Sequence, residues 1–137
     1  MRQMTLAIVS VVTALVLFIG AGCSVNKTDD TFATPRVGST ATFQEYPRWG
    51  ISGTVTVVDA RTLRFDDFSY HGDTSVPAEI RLQKNFNKVA TLKDLTDQTF
   101  DHATFLLAIP NTVALSDFDL VVVFSPAFNT SVSGAAF

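Results

Sequence analysis

The stretch from Gly50 to Gly72 reads Gly-Ile-Ser-Gly-Thr-Val-Thr-Val-Val-Asp-Ala-Arg-Thr-Leu-Arg-Phe-Asp-Asp-Phe-Ser-Tyr-His-Gly. Two β-rich runs, Gly53 to Val58 and Thr62 to Tyr70, flank the short polar break Asp59-Ala60-Arg61, and this arrangement predicts a β-hairpin. Apolar and polar residues alternate in both runs, so one face of each strand is expected to be buried. The pair Asp66-Asp67 interrupts the alternation and predicts a bulge in the second strand.

Short strands are also predicted on both sides of this hairpin. They are Phe43–Trp49 as an edge strand, Ala78–Gln83, Thr104–Ile109, Leu120–Phe124, and Thr130–Phe137 as a strand or extended tail. Val89–Leu95 fits either a strand or a helical turn, whereas Leu120–Phe124 is apolar throughout, as in a strand covered on both faces. Because no window after the N-terminal segment shows an amphipathic helix, we expect an all-β fold, a single β-sandwich or barrel-like domain.

The N-terminal segment has the composition of an export signal. Arg2 provides a positive charge, Met4 to Gly22 contains no charged residue, and small residues directly precede Cys23. This arrangement resembles the lipobox of bacterial lipoproteins, although Gly20 stands where the usual lipobox has Leu. The resemblance implies cleavage after residue 22 and a diacylglycerol attached to the sulfur of Cys23. An uncleaved transmembrane helix is the alternative, since a span needs about 20 apolar residues.

The predicted organisation therefore has three parts. Residues 1–22 form a lipoprotein signal peptide, residues 23–41 hold the lipidated Cys23 and a flexible tether, and residues 42–137 form the β-sandwich domain. The tether contains Ser, Thr, Asn, Asp, Lys, Gly and Pro and shows no strand or helix periodicity. We expect a protein anchored by lipid to the cell membrane, on the extracytoplasmic face of a bacterial envelope.

Charge and cysteine content exclude some classes of function. The chain of 137 residues has a formal net charge of −3 and no cluster of Lys and Arg, which argues against nucleic acid as a partner. Cys23 is the one cysteine in the sequence. If it is acylated, no thiol remains for a disulfide or for binding a soft metal. No cofactor is predicted.

The residues of the central hairpin resemble the opening signature of the DM-thirteen domain family, found in Skeletor-type proteins and in exported bacterial lipoproteins. Later landmarks of that family follow in order. The matching segments are Gly53–Asp59, Leu63, Phe68–Gly72, Leu106–Pro110, Phe118–Phe124 and Phe128–Phe137. The resemblance implies a β-sandwich and a proposed part in electron transfer.

The sequence departs from the family pattern at the position on which that chemistry depends. The family usually carries Trp-Cys at the end of the late strand, where this chain has Phe124 and Ser125. A hydroxyl cannot cycle between thiol and disulfide and binds soft metals poorly, so the family redox position is lost at Ser125. His71 replaces an acidic residue of the first signature, and Ser133 replaces a Gly of the closing segment.

Two other groups of residues are candidates for chemistry. His71, Asp73, Asp101 and His102 would make a mixed oxygen and nitrogen metal site if their loops met, but solvated turn residues are the favoured interpretation, and no metal site is predicted. Phe43, Tyr46 and Trp49 could form a platform for carbohydrate stacking. Closure of an open end of the sandwich is the favoured role for these aromatic rings.

No arrangement of nucleophile, base or paired carboxylates points to catalysis, so we expect that the protein is not an enzyme. The leading hypothesis is a non-enzymatic binding or structural module whose partner is an envelope component or another protein. The alternative is a redox or electron-transfer accessory of the cell envelope. Without the family Cys, that alternative requires a bound metal or haem.

Overall fold

The computed structural model describes residues 33–73 and 75–137, which form two four-stranded antiparallel sheets in a sandwich-like arrangement. One sheet has the strand order β1-β2-β3-β6 and the other has the order β5-β4-β7-β8. The strands are β1 Thr40–Thr42, β2 Ser52–Asp59, β3 Thr62–Tyr70, β4 Glu79–Lys84, β5 Asn87–Asp94, β6 Phe100–Ala108, β7 Leu120–Ser125 and β8 Thr130–Ala136. Two short 3-10 helices, Pro47–Trp49 and Leu115–Asp117, lie in the connections. The all-β prediction is confirmed.

The predicted hairpin is present as β2 and β3. Val55 lies opposite Phe65 and Val57 opposite Leu63, and all four side chains are fully buried between the sheets. The backbone N–H of Arg61 donates a hydrogen bond of 2.7 Å to Asp59 Oδ1, which closes the turn. The alternating pattern in the sequence therefore predicted correctly which face of this hairpin is buried in the core.

The predicted bulge is also present, and a glycine on the neighbouring strand accommodates it. The register of β3 shifts between Phe65 and Phe68, and Asp67 has a positive φ of 52°. Gly53, on β2, has a φ of 120°, and a Cβ added there would lie 2.8 Å from the Cα of Phe68. Only glycine permits both this backbone conformation and so close an approach of the two strands.

Strand β7 is buried on both faces, as its apolar sequence predicted. Val121 and Val123 point into the main core, whereas Leu120, Val122 and Phe124 form a second buried cluster. The guanidinium carbon of Arg81 lies 3.5 Å from the centroid of the Phe124 ring, so the stem and head of this arginine cover the outer face. β7 is thus one of the two inner strands of the second sheet, and it pairs with β4 on one side and β8 on the other.

The predicted edge strand at Phe43–Trp49 is wrong. Pro47–Trp49 is a 3-10 helix, since proline has the φ that a helical first turn needs and lacks an N–H for a strand ladder. The edge strand lies earlier, at Thr40–Thr42, so that Thr40 and Ala41, within the range assigned to the tether, pair with β2. Aromatic alternation in this segment reflects packing of separate rings and not strand pairing.

Three other segments are settled or extended by the structure. Val89–Leu95, ambiguous in the sequence, lies almost wholly within β5, and Thr130–Phe137 is a strand, β8. β6 begins at Phe100, four residues before the predicted start at Thr104. The early part of β6 was missed because His102 has a positive φ and breaks the alternation there.

The predicted signal peptide, Cys23 and most of the tether lie outside the described residues. Within residues 33–73 and 75–137, neither helix has the length and apolar character needed to cross a bilayer.

The close approach at Gly53 generates a stability prediction. Gly53→Ala is expected to lower the free energy of unfolding by about 2–4 kcal/mol, because it combines a strained positive φ with a clash against the β3 backbone. Gly38→Ala is the matched control: Gly38 also has a positive φ, 89°, but its missing Cβ faces open space. We expect about 1 kcal/mol there. Denaturant unfolding measures both values, and equal losses would contradict the clash.

Candidate functional site

Ser125 is the last residue of β7, and it lies at one end of the sandwich. Its side chain is fully buried, and its hydroxyl donates a hydrogen bond of 3.3 Å to the carbonyl oxygen of Pro77. In the backbone ladder it pairs with Thr130 of β8. Ser125 therefore joins the β3–β4 connection to the β7–β8 hairpin, and its hydroxyl has a structural partner.

An open cleft with a volume of about 670 Å³ lies next to Ser125. It is formed by three segments: the 3-10 helix before β2, the connection between β3 and β4, and the β7–β8 turn with the start of β8. Val76, beside Pro77, and Thr130, opposite Ser125, both line it, so Ser125 lies directly behind its wall. The other side chains that give the cleft its chemistry are Tyr46, Arg48, Trp49, His71, Asp73 and Phe128.

The aromatic residues predicted to act together are divided by the structure. Phe43 is in the core, with its ring centroid 5.5 Å from that of Phe68, and does not line the cleft. Tyr46 and Trp49 do line it, and their rings meet edge to face at 6.4 Å. Trp49 continues edge to face onto Tyr70 at 6.3 Å. The two tyrosines and the one tryptophan of the sequence thus form one contact ladder from the cleft into the core.

The position of the Tyr70 ring explains why residue 72, the last of the hairpin signature, is a glycine. A Cβ at Gly72 would overlap the Tyr70 hydroxyl and the adjoining ring carbon, so a side chain at residue 72 would displace this ring. Burial raises the pKa of the Tyr70 phenol, and the negative charges of Asp73 and Asp94 add to the rise. Tyr70 therefore stays protonated and serves as a packing residue beneath Trp49.

The four residues of the candidate metal site are only partly brought together. Asp101 Oδ1 lies 4.0 Å from His71 Nε2 and 3.8 Å from His102 Nε2. Asp73 is engaged elsewhere, because its Oδ1 accepts hydrogen bonds from the backbone N–H and the hydroxyl of Ser75. Within residues 33–73 and 75–137, no group of three or more His, Cys, Asp or Glu side chains is placed to hold a metal ion.

Sequence reasoning missed the closest partner of His102. His102 Nδ1 lies 2.5 Å from Asp67 Oδ1, and both residues have a positive φ, 48° and 52°. The two strained positions lie at facing irregularities of β3 and β6, where Ser69 Oγ also accepts a hydrogen bond from the His102 N–H. The bulge was predictable, but the pairing of β3 with β6 that brings residue 102 to it was not.

Two pKa shifts follow from these contacts. The hydrogen bond and charge of Asp67, with the charge of Asp101, raise the pKa of His102 above its ordinary 6.5. The hydrogen bonds from the Ser75 hydroxyl and backbone N–H lower the pKa of Asp73. The side chains of His102 and Asp67 are both exposed, so solvent screens their ion pair, which contributes modestly to stability.

The His102–Asp67 pair can be tested by titration. Asp67→Asn should lower the pKa of His102 toward 6.5, and asparagine suits the positive φ at this position. Because the pKa is raised in the folded state, the ion pair stabilises the fold below the unfolded pKa. That contribution is lost as pH rises through the folded pKa. NMR titration of the His102 ring measures the shift, and unfolding at several pH values measures the stability difference.

Asp66→Asn is the control for this titration. It removes the same charge one residue away, from a carboxylate that pairs with Arg64 at 2.7 Å and makes no contact with His102. The pKa of His102 should hardly change in this variant. Equal shifts in both variants would show a general charge effect and contradict the specific contact.

The comparisons with known proteins agree with the fold. The family model described as "Electron transfer DM13" matches residues 42–137. This is the family that the hairpin signature resembles. No curated protein and no solved structure matched the chain.

Proposed function

The chain belongs to the Electron transfer DM13 family, and from this premise we propose that it displays the family's β-sandwich as a binding or structural module outside the cytoplasmic membrane. The proposed anchor is lipid on Cys23, after removal of residues 1–22 as a signal peptide. The module is not an enzyme, and its partner is a component of the cell envelope or another protein. The organisation of the N-terminal sequence, a charged start, an apolar run and small residues before a cysteine, supports this location.

The observation that carries the proposal is Ser125. A hydroxyl cannot be oxidised to a disulfide, and here it is fully buried and donates to the Pro77 carbonyl. The sequence's one cysteine is Cys23, in the N-terminal segment and not in the matched domain. This member therefore keeps the family scaffold without the sulfur on which the family's proposed chemistry rests. Binding through the cleft beside Ser125 is the role that the remaining groups support best.

The anchor is tested by lipid labelling in cells. With radiolabelled palmitate, the wild-type protein should incorporate label, whereas Cys23→Ala should incorporate none and should remain an unprocessed precursor or be released. Ser24→Ala, which changes the next residue and leaves the sulfur in place, should label normally. Labelling of the Cys23→Ala variant would contradict the lipoprotein proposal.

A second candidate, a redox accessory of the envelope, is favoured by one observation. Tyr46, Trp49 and Tyr70 are the tyrosines and the tryptophan of this sequence, and they contact one another in series from the cleft inward. Their side chains are the most easily oxidised aromatic groups in proteins. Such a ladder could pass an electron only to or from a bound metal or haem, since the family cysteine is replaced by Ser125.

A visible absorption spectrum and elemental analysis separate the two candidates. For the full-length protein purified in detergent, the binding proposal predicts no absorption band above the aromatic range and no metal in stoichiometric amount. The spectrum should also be the same after dithionite and after ferricyanide. A chromophore or a stoichiometric redox metal would favour the second candidate and overturn the first.

A further inference from the structure

We propose that the cleft beside Ser125 binds a sugar ring that carries a carboxylate, of the kind displayed on acidic envelope polysaccharides. This inference rests on the binding role proposed above and gives it a ligand class. The volume of about 670 Å³ is within the range of about 300–1,000 Å³ typical of ligand sites and can hold one or two pyranose rings. Because the cleft is open at the end of the sandwich, it suits a group presented on a polymer.

Arg48 supplies the cation. Within the described part of the chain, its guanidinium forms no ion pair and no hydrogen bond, although it is exposed at the cleft. By contrast, Arg61 donates to backbone carbonyls, and Arg64 and Arg81 pair with carboxylates. An arginine fork binds a planar carboxylate with two parallel hydrogen bonds, which makes Arg48 the natural partner for an acidic sugar.

Asp73 supplies the acceptor for sugar hydroxyls. Its Oδ1 is occupied by the two hydrogen bonds from Ser75, which fix the carboxylate at the cleft wall. Its Oδ2 accepts no hydrogen bond from residues 33–73 or 75–137, and we assign this oxygen to the ligand. The hydroxyls of Tyr46, Thr130 and Ser131 also line the cleft and can donate or accept. A sugar, whose hydroxyls do both, satisfies this mixed set better than a purely apolar or purely anionic ligand.

Apolar surface for the C–H face of the ring is present as well. Phe128, in the β7–β8 turn, is 64% exposed, and Val76 and Val132 also line the cleft. Tyr46 is half-buried, and its ring is held edge to face against Trp49. Aromatic and aliphatic side chains surrounded by a few polar groups that fix orientation are typical of ligand sites. Because most of the Phe128 side chain is exposed, packing within the domain does not account for it, whereas contact with a ligand does.

A peptide is a poorer fit for the same cleft. Extended peptides gain affinity by adding a strand to a free sheet edge, and the edge near the cleft is that of β8. Gln44 already covers part of it, since its N–H donates to the Gly134 carbonyl at 2.9 Å and its carbonyl accepts from the Ser133 hydroxyl. The side chains that line the cleft are therefore accessible to a ligand, whereas part of the neighbouring β8 backbone is already hydrogen-bonded to Gln44.

Trp49, the one tryptophan of the sequence, lines the cleft, so its fluorescence reports binding directly. We would titrate full-length protein in detergent with cellobiouronic acid and with cellobiose, which differ in a single carboxylate. The acidic disaccharide should change the fluorescence saturably and bind at least about tenfold more tightly than cellobiose, as expected for a charged hydrogen-bonded pair. No saturable change with the acidic disaccharide, or equal binding of the two, would overturn the proposal.

Variants assign the effect to the cleft. Arg48→Gln should weaken binding of the acidic disaccharide about tenfold and leave cellobiose binding unchanged, whereas Phe128→Ala should weaken both. Arg36→Gln is the matched control, because Arg36 is an exposed arginine that does not line the cleft and whose guanidinium has no partner in the described residues. It should bind as the wild type does. Equal losses in the two arginine variants would contradict the site.

Two further outcomes complete the test. A triglutamate peptide that binds as tightly as the acidic disaccharide would show a general anion surface and overturn the sugar assignment. Failure of this inference is distinguishable from failure of the proposed function. Flat titrations with normal Cys23 labelling and a featureless spectrum remove only the sugar ligand, whereas a redox chromophore removes the binding role itself.

Discussion

The contact on which the rest of the structure depends is the approach of Gly53 to the backbone of Phe68. It allows β3 to bulge at Asp66 and Asp67, and after the bulge three successive residues, Phe68 to Tyr70, are all buried. Without the extra residue, the alternation of Leu63 and Phe65 would have carried Asp67 toward the core and turned Phe68 and Tyr70 to the opposite face. The bulge therefore delivers Tyr70 into the core beneath Trp49 and leaves Asp67 outside, where it meets His102. One missing Cβ thus organises both the interior and the surface of this region.

The second sheet depends on a different constraint, the burial of β7 on both faces. Such a strand needs cover on its outer side, and Arg81 provides it by lying over Phe124 while it pairs with Glu79. The end of β7 then fixes the end of the sandwich, because the Ser125 hydroxyl reaches across to Pro77. The cleft forms where these two constraints meet, because it is lined by the 3-10 helix before β2, by the connection that follows β3, and by the β7–β8 turn with the start of β8.

Features that depend on local sequence periodicity were predictable, and those that depend on long-range register were not. The hairpin, its bulge and the doubly buried strand each leave a local pattern in the sequence, and all three are present. The 3-10 helix at Pro47–Trp49 was missed because alternation of large aromatic residues imitates a strand when each ring packs separately. The Asp67–His102 pair joins residues 35 apart in sequence. The cleft is lined by three segments that are far apart in sequence. Which residues line it is therefore known only once the folded arrangement of the strands is known.

The same distinction separates family membership from function. Gly53 and Gly72 belong to the hairpin signature, and each is explained by geometry: one admits a bulge and the other leaves room for a tyrosine hydroxyl. Glycines of this kind identify the fold but not the ligand, because they are required only for packing. Ser125, Arg48 and Phe128 have no comparable role in holding the signature together, apart from the one hydrogen bond of Ser125. Serine is accommodated at residue 125 because its small buried hydroxyl has a carbonyl partner there. Divergence in function within this scaffold is therefore expected at the end of the sandwich, where side chains can change without disturbing the bulge.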